Sequence, residues 1–150
     1  TVRSSDPAFT SIHAIAELDS VLPETDILVM ALPSTAETVG ILSRERIALL
    51  PDSAFVVNVG RGTAIDQEAL CDALNAGRLA GAALDVVVPE PLPADHPLRR
   101  AKNLLLTPHV AGNMTLGYTC ERNVQLFCEN LENYAAGRPM HHLVDRRKGY

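Results

Sequence analysis

The sequence predicts an α/β domain built on a doubly wound parallel sheet. Short, continuous apolar runs alternate with amphipathic segments along the 150 residues. Runs of this kind are typical of strands that are buried on both faces of a parallel sheet. Because strand and helix signals alternate, the strands are expected to be joined by right-handed crossovers.

The elements follow in order along the chain. The predicted strands are Ile27–Ala31, Phe55–Val59, Gly81–Val88 and Leu104–Leu106. Between the second and third strands, the stretch DQEALCDALNAG predicts a helix with Asp66 as N-cap and Gly77 as a left-handed stop. Shorter amphipathic turns end at Pro23 and Pro51. Apolar residues at helical spacing predict a long helix over Thr115–Ala136.

Composition excludes several classes of function. A hydrophobic fraction of 47% with 21% charged residues is typical of a globular protein, and a net charge of -5 argues against a nucleic-acid partner. No apolar stretch reaches the ~20 residues of a membrane helix, and the first residues do not resemble a signal peptide. Cys71, Cys120 and Cys128 lack CxxC spacing, so neither a metal site nor a disulfide framework is expected. Reduced, mostly buried thiols in a cytoplasmic protein are the simpler interpretation.

Three polar residues each come just after a predicted strand. Arg61 follows FVVNVG, Glu90 follows AALDVVVP, and His109 follows NLLLTP. The carboxyl ends of parallel strands meet at one edge of a sheet, which is where open α/β sheets bind their ligands. An arginine, a carboxylate and a histidine at this edge are suited to holding an anionic substrate and moving one proton.

The beginning of the chain predicts that part of the fold is missing. Thr1-Val2-Arg3-Ser4-Ser5 is similar to the end of a strand and the loop after it, with no element before it. GRG at 60–62 and Gly77-x-x-x-Gly81 lack the GxGxxG spacing of a phosphate loop. We therefore expect a fragment, or a partly ordered chain, without its first strand and phosphate turn.

Four stretches, in order, resemble the D-isomer-specific 2-hydroxyacid dehydrogenases. They are ELDSVLPETDILVMALPSTAETVGIL, FVVNVGRGTAIDQEAL, GAALDVVVPEPLPADHPL and NLLLTPHVAGNM, and the resemblance covers roughly the whole chain. It implies a Rossmann-like NAD(P)-binding domain over residues 1–136, of which only the C-terminal part is present. A tail over residues 137–150 is then expected to return to a missing substrate domain. The glyoxylate/hydroxypyruvate reductase-like branch resembles this sequence most.

The resemblance implies a catalytic role for each of the three polar residues. Arg61 matches an arginine that grips the carboxylate and 2-oxo group of the substrate through parallel hydrogen bonds. His109 matches the acid/base that donates a proton to the carbonyl oxygen, and Glu90 is expected to orient His109. Taken alone, each residue has an ordinary alternative: a surface arginine, a structural histidine and a solvated carboxylate.

The resemblance also implies a cofactor-binding set. Its members are Arg3, Ser4, Leu32, Pro33, Val59, Gly60, Arg61, Asp85, His109 and Gly112. Asp85 is expected at the nicotinamide, although a strand-terminal turn cap explains it equally, and core packing explains the apolar members. Gly60 and Gly62 are expected to let the backbone approach the nicotinamide end of the cofactor. Arg3 and Ser4 fit a 2′-phosphate, which favours NADP over NAD.

Three functions stay open at this point. The leading hypothesis is an oxidoreductase that transfers a hydride between NAD(P)H and a small 2-oxoacid. A 3-phosphoglycerate-type dehydrogenase is a second enzyme of the same chemistry. A dinucleotide-sensing, corepressor-like binding protein of the same fold is the third, because such relatives keep a similar set of residues. The resemblance further implies a homodimer.

Overall fold

The computed structural model describes residues 6–112 and 116–147. Arg3 and Ser4, two of the predicted cofactor residues, lie outside the described residues. The chain forms two compact units, one that ends at Pro108 and one that begins at His109. The predicted domain boundary after residue 136 stays a prediction.

The first unit contains a parallel sheet with the strand order β1-β2-β3-β4. Its strands are β1 (Ile27–Met30), β2 (Phe55–Asn58), β3 (Gly81–Leu84) and β4 (Leu104–Leu106). All four lie where the apolar runs predicted them, and every neighbouring pair is parallel. Three of them end earlier than predicted, because the last apolar residues of each run turn into the loops at the carboxyl edge.

Within residues 6–108, three α-helices accompany the sheet. They are α1 (Leu18–Val21), α2 (Arg44–Ile47) and α3 (Gln67–Asn75). The N-cap prediction for α3 is confirmed, since Asp66 Oδ1 accepts a hydrogen bond of 2.9 Å from the backbone N–H of Ala69. Gly77, with a φ of 71°, lies just beyond the helix in the left-handed region. Ser43 caps α2 in the same way at 3.4 Å.

The hydrophobic core lies on one face of the sheet. Side chains of Met30, Val56, Ala82 and Leu84 point to this face, because strand register places them on alternating positions of neighbouring strands. The core also contains fully buried leucines from α3, from short 3-10 helices and from the loops, namely Leu22, Leu42, Leu70, Leu74, Leu79 and Leu98. The helices therefore cover this face through their apolar sides.

The opposite face of the sheet is exposed. Ile27, Val29 and Leu105 are each 62% exposed, and Phe55 is 48% exposed. The apolar runs predicted strands buried on both faces, and within residues 6–108 only one face is covered. The physical reason is that α3 packs, through Leu70 and Leu74, against the face that carries Met30 and Val56. Ile27 and Val29 lie on the opposite face, because side chains at i, i+2 spacing share one face of a strand.

The second unit contains one long helix and the tail that follows it. Helix α4 (Gly117–Ala135) confirms the predicted helix. Asn130 ties the tail to the helix, since its Nδ2 donates to the His141 carbonyl at 3.0 Å and its Oδ1 accepts from the His141 N–H at 2.7 Å. Within 6–112 and 116–147, no helix is both long and apolar enough to cross a membrane.

The cysteines differ in part from the prediction. Cys71 is buried, Cys120 is half-buried and Cys128 is exposed, and all three are free thiols. Cys128 lies on α4, which has no buried residue, whereas Cys71 lies on the core side of α3. The expectation of mostly buried thiols is therefore correct for Cys71 and wrong for Cys128.

Candidate active site at the carboxyl edge of the sheet

Loops that leave the carboxyl ends of β1, β2 and β3 carry most of the predicted site residues. Leu32 and Pro33 follow β1, Val59 to Arg61 follow β2, and Asp85 and Glu90 follow β3. Parallel register aligns the ends of these strands, with Met30 beside Asn58 and Asn58 beside Leu84. The loops therefore start side by side at one edge of the sheet.

Asn58 holds the loop after β2 in place. Its side chain is 1% exposed, its Oδ1 accepts from the Gly60 N–H at 3.0 Å, and its Nδ2 donates to the Arg61 carbonyl at 2.9 Å. A buried amide is tolerated when its donor and acceptor are both paired, as they are here. Sequence reasoning missed this residue, although an asparagine inside the apolar run FVVNVG was the available signal.

Gly60 and Gly62 let three loops pack backbone to backbone. A Cβ atom on Gly60 would lie 2.6 Å from the backbone nitrogen of Leu32, and one on Gly62 would lie 2.5 Å from the carbonyl carbon of Val87. These glycines thus allow the β2 loop to contact the β1 loop on one side and the β3 loop on the other. Their predicted approach to a nicotinamide stays a prediction, and loop packing is the reason that the structure itself supplies.

Arg61 presents its side chain at the surface of this edge. Its backbone is extended, with a φ of -142°, and its Nη1 donates to the Gly60 carbonyl at 2.7 Å. A guanidinium has five N–H donors in a plane, so this bond leaves others for an anionic ligand. The arrangement suits the recognition of a carboxylate.

Asp85 lies buried where β3 ends. It is 5% exposed, its Oδ1 accepts from the Thr107 hydroxyl at 2.5 Å, and its N–H donates to the Asn58 carbonyl at 3.0 Å. These bonds join the ends of β2, β3 and β4, which is the strand-terminal role that the sequence left open. Contact with a nicotinamide stays a prediction.

The Glu90 carboxylate accepts a hydrogen bond from the loop that carries it. Glu90 Oε1 accepts a hydrogen bond of 2.9 Å from the Val87 N–H, and the side chain is exposed. Because the Val87 backbone also packs against Gly62, the loops that carry Arg61 and Glu90 touch each other. The two side chains therefore belong to neighbouring, mutually supported loops.

The loop after β1 is held by hydroxyl groups. Thr38 Oγ1 donates to the Pro33 carbonyl at 2.6 Å, and the hydroxyls of Ser34 and Thr63 lie 3.2 Å apart. A hydrogen bond from Thr35, together with one from the backbone of Glu37 itself, lowers the pKa of Glu37. Leu32 is half-buried, whereas Pro33 and Val59 are exposed at this edge.

His109 opens the second unit. Its side chain is exposed and its backbone has a φ of 54°, in the left-handed region. Gly112, three residues later, has no atom within 4 Å of the position that a Cβ would take. The predicted grouping of His109 with Arg61 and Glu90 stays a prediction.

Residues 2–111 match the family of the D-isomer specific 2-hydroxyacid dehydrogenases, over its NAD binding domain. The chain belongs to this family. The resemblance found in the sequence is thereby confirmed, and so is the Rossmann-like α/β fold with its parallel sheet. The match also assigns a nicotinamide dinucleotide as the ligand class of the domain.

Individual members of the 2-hydroxyacid dehydrogenase family are similar over nearly all of the chain. A glyoxylate/hydroxypyruvate reductase A from Klebsiella pneumoniae (strain 342) is 39% identical over 148 residues, which are 99% of this chain and 46% of that protein. The chain thus spans about half the length of the curated relatives it matches.

Solved structures of family members agree with the fold. A D-isomer specific 2-hydroxyacid dehydrogenase from Xanthobacter autotrophicus Py2, solved with NADPH and MES, has a TM-score of 0.86 and 37% identity over 99% of this chain and 60% of that one. An NADPH-dependent glyoxylate/hydroxypyruvate reductase from Sinorhizobium meliloti, solved with NADP and sulfate, has a TM-score of 0.83 and 29% identity. That match covers 99% of this chain and 48% of the reductase chain.

We predict that Gly62→Ala destabilises the fold, because its Cβ would collide with the Val87 backbone rather than with a flexible side chain. The expected loss in the free energy of unfolding is about 1–3 kcal/mol, measured by urea denaturation. Gly117→Ala is the matched control, since nothing lies within 4 Å of its Cβ position. Equal stability of Gly62→Ala and the parent would contradict the packing of these loops.

We predict that Asn58→Leu, which keeps the branching of the side chain, leaves the Gly60 N–H unpaired and the Arg61 carbonyl with only its bond from the Ala64 N–H. Each buried group without a partner costs about 1–3 kcal/mol of stability. Thermal or chemical unfolding should show this loss. Asn75→Leu, which removes an exposed bond from the Lys102 N–H and a long bond of 3.5 Å to Cys71 Sγ, should cost less.

Proposed function

We propose that the protein reduces small 2-oxoacids of the glyoxylate or hydroxypyruvate type, with NADPH as the hydride donor. The observation that carries the proposal is the exposed guanidinium of Arg61, on a loop that Asn58 and two glycines hold at the ligand-binding edge of an NAD-binding domain. The curated relatives named glyoxylate/hydroxypyruvate reductase A support the substrate class.

The carboxyl edge fits a nicotinamide cofactor. Pro33 and Val59 expose apolar surface there, beside hydrogen-bonding groups of the loops, and a flat heteroaromatic ring packs well against such surface. A bound NADPH supplies the hydride that reduces the carbonyl carbon. Arg61 would bind the substrate carboxylate and the carbonyl oxygen, and it would stabilise the negative charge that develops on that oxygen.

The proton is assigned to His109 in this proposal. Its imidazolium would donate a proton to the carbonyl oxygen, which yields a 2-hydroxyacid and a neutral imidazole. The Glu90 carboxylate would orient the ring and stabilise its charged form. His96, in contrast, accepts a hydrogen bond from the Leu98 N–H at the start of a short 3-10 helix, so it has a structural partner.

The preference for NADPH is supported from two directions. In the sequence, Arg3 and Ser4 are a cation and a hydroxyl at positions for which the resemblance implies contact with a 2′-phosphate. Structures of relatives were solved with NADPH or NADP. The homodimer that the resemblance implies, and the cytoplasmic location suggested by the cysteines, stay predictions.

The test is to measure turnover by the full-length gene product. Initial rates with glyoxylate, hydroxypyruvate and a phosphorylated 2-oxoacid, each with NADPH and with NADH, should be highest for the first two with NADPH. Faster turnover of the phosphorylated acid would favour the 3-phosphoglycerate-type alternative, and faster rates with NADH would overturn the cofactor preference. Dinucleotide binding without any turnover would favour a sensing protein.

We predict that Arg61→Lys lowers kcat/KM by roughly 10²-fold, although it keeps the positive charge. An ammonium group lacks the planar pair of donors that matches a carboxylate. Arg78→Lys is the control, because Arg78 forms an exposed ion pair with Asp52 at 2.9 Å, away from the described site loops. Parental turnover by Arg61→Lys would remove the two-point contact from the proposal.

A further inference from the structure

The side chain of Gln67 makes two hydrogen bonds to one residue of the loop after β3. Gln67 Nε2 donates to the Val88 carbonyl at 2.6 Å, and Gln67 Oε1 accepts from the Val88 N–H at 2.9 Å. The amide thus pairs with the backbone as a neighbouring strand would. Both peptide groups of Val88 are fixed by a single side chain, although the two residues lie 21 positions apart.

Val88 lies between two residues that matter for the site. Val87, just before it, donates its N–H to the Glu90 carboxylate at 2.9 Å and packs against Gly62. Glu90 follows two residues after Val88. The amide of Gln67 therefore holds the middle of the segment that both carries Glu90 and provides the hydrogen-bond partner of its carboxylate.

Helix α3 does not depend on Gln67. Asp66 already caps its first turn, and the buried side of the helix consists of Ala69, Leu70, Cys71 and Leu74. Gln67 is the first residue of the helix, and its two bonds lie in an exposed part of the molecule. Its contribution to the hydrophobic core is small, so its contacts matter chiefly to the loop.

We propose that Gln67 is a positioning residue that sets the place of Glu90 through the Val88 backbone. This inference rests on the proposed function, in which Glu90 orients the proton donor. A displacement of about 1 Å at a reacting group is enough to lower a rate by roughly 10²-fold. The bonds of Gln67 are of the kind that prevents such a displacement, because they fix both the N–H and the carbonyl of one residue.

The first arm of the test does not need activity. Gln67→Met keeps the length of the side chain and removes both bonds, and Gln125→Met, at an exposed glutamine of α4, is the matched control. Hydrogen exchange at single-residue resolution should show the Val88 N–H exchanging at least roughly tenfold faster in Gln67→Met. The Val87 N–H should also exchange faster, although it bonds Glu90 rather than Gln67.

Three amides separate the outcomes of this arm. Leu70, whose N–H bonds the Asp66 carbonyl at 3.0 Å, should be unchanged if α3 stays folded. Faster exchange at Val88 alone, with Val87 unchanged, would overturn the inference, because Gln67 would then hold only its direct partner. Unchanged exchange at both valines would overturn it as well.

The second arm is kinetic and uses the full-length gene product. Gln67→Met should lower kcat by roughly 10- to 100-fold with little change in KM for NADPH, and Glu90→Gln should lower the same parameter. Gln67→Glu keeps the acceptor for the Val88 N–H and should fall between the parent and Gln67→Met. Parental kcat in Gln67→Met would overturn the inference, whereas an unsubstituted protein without turnover of any 2-oxoacid would overturn the proposed function instead.

Discussion

Close packing of three loops at the carboxyl edge is the constraint on which the rest of the site depends. Parallel register starts the loops after β1, β2 and β3 side by side. Gly60 and Gly62 then allow the middle loop to touch the backbone of both neighbours. Contacts between backbones leave less freedom than contacts between side chains, since no rotamer can relieve a change in distance. The position of each loop is thus set by the sheet.

Buried polar groups complete this arrangement. Asn58 and Asp85 are buried polar residues beside the apolar core; the Asn58 side chain bonds the loop that follows β2, and the Asp85 carboxylate bonds Thr107 after β4. Groups of this kind are costly to bury without partners, so their stable place is the one in which all bonds form. The ends of β2, β3 and β4 are joined as a result. Hydrophobic packing determines the sheet, and these polar bonds determine how its loops leave it.

Local signals in the sequence predicted the elements, and contacts between distant segments explain what they missed. Asp66 and Gly77 mark α3 correctly because a cap and a stop act within one turn of the helix. The strand predicted over Gly81–Val88 ends at Leu84, since Val86 is buried in a loop and an apolar run does not distinguish the two cases. Asn58 bonds residues two and three positions further along, so the asparagine in FVVNVG was a local signal that could have been used. The role of Gln67 depends on which loops meet, and no local pattern contains that information.

The candidate site combines a fixed backbone with exposed side-chain tips. Arg61 has its carbonyl bonded to Asn58 and its flanking glycines packed on two loops, yet its side chain is exposed. Glu90 is exposed as well, while the N–H and the carbonyl of nearby Val88 are both bonded to the side chain of Gln67. The backbone that carries these groups is already fixed, so little backbone conformational entropy is lost when the side chains bind a ligand. An exposed guanidinium alone is an ordinary surface charge; the fixed backbone beneath it makes a binding role physically reasonable.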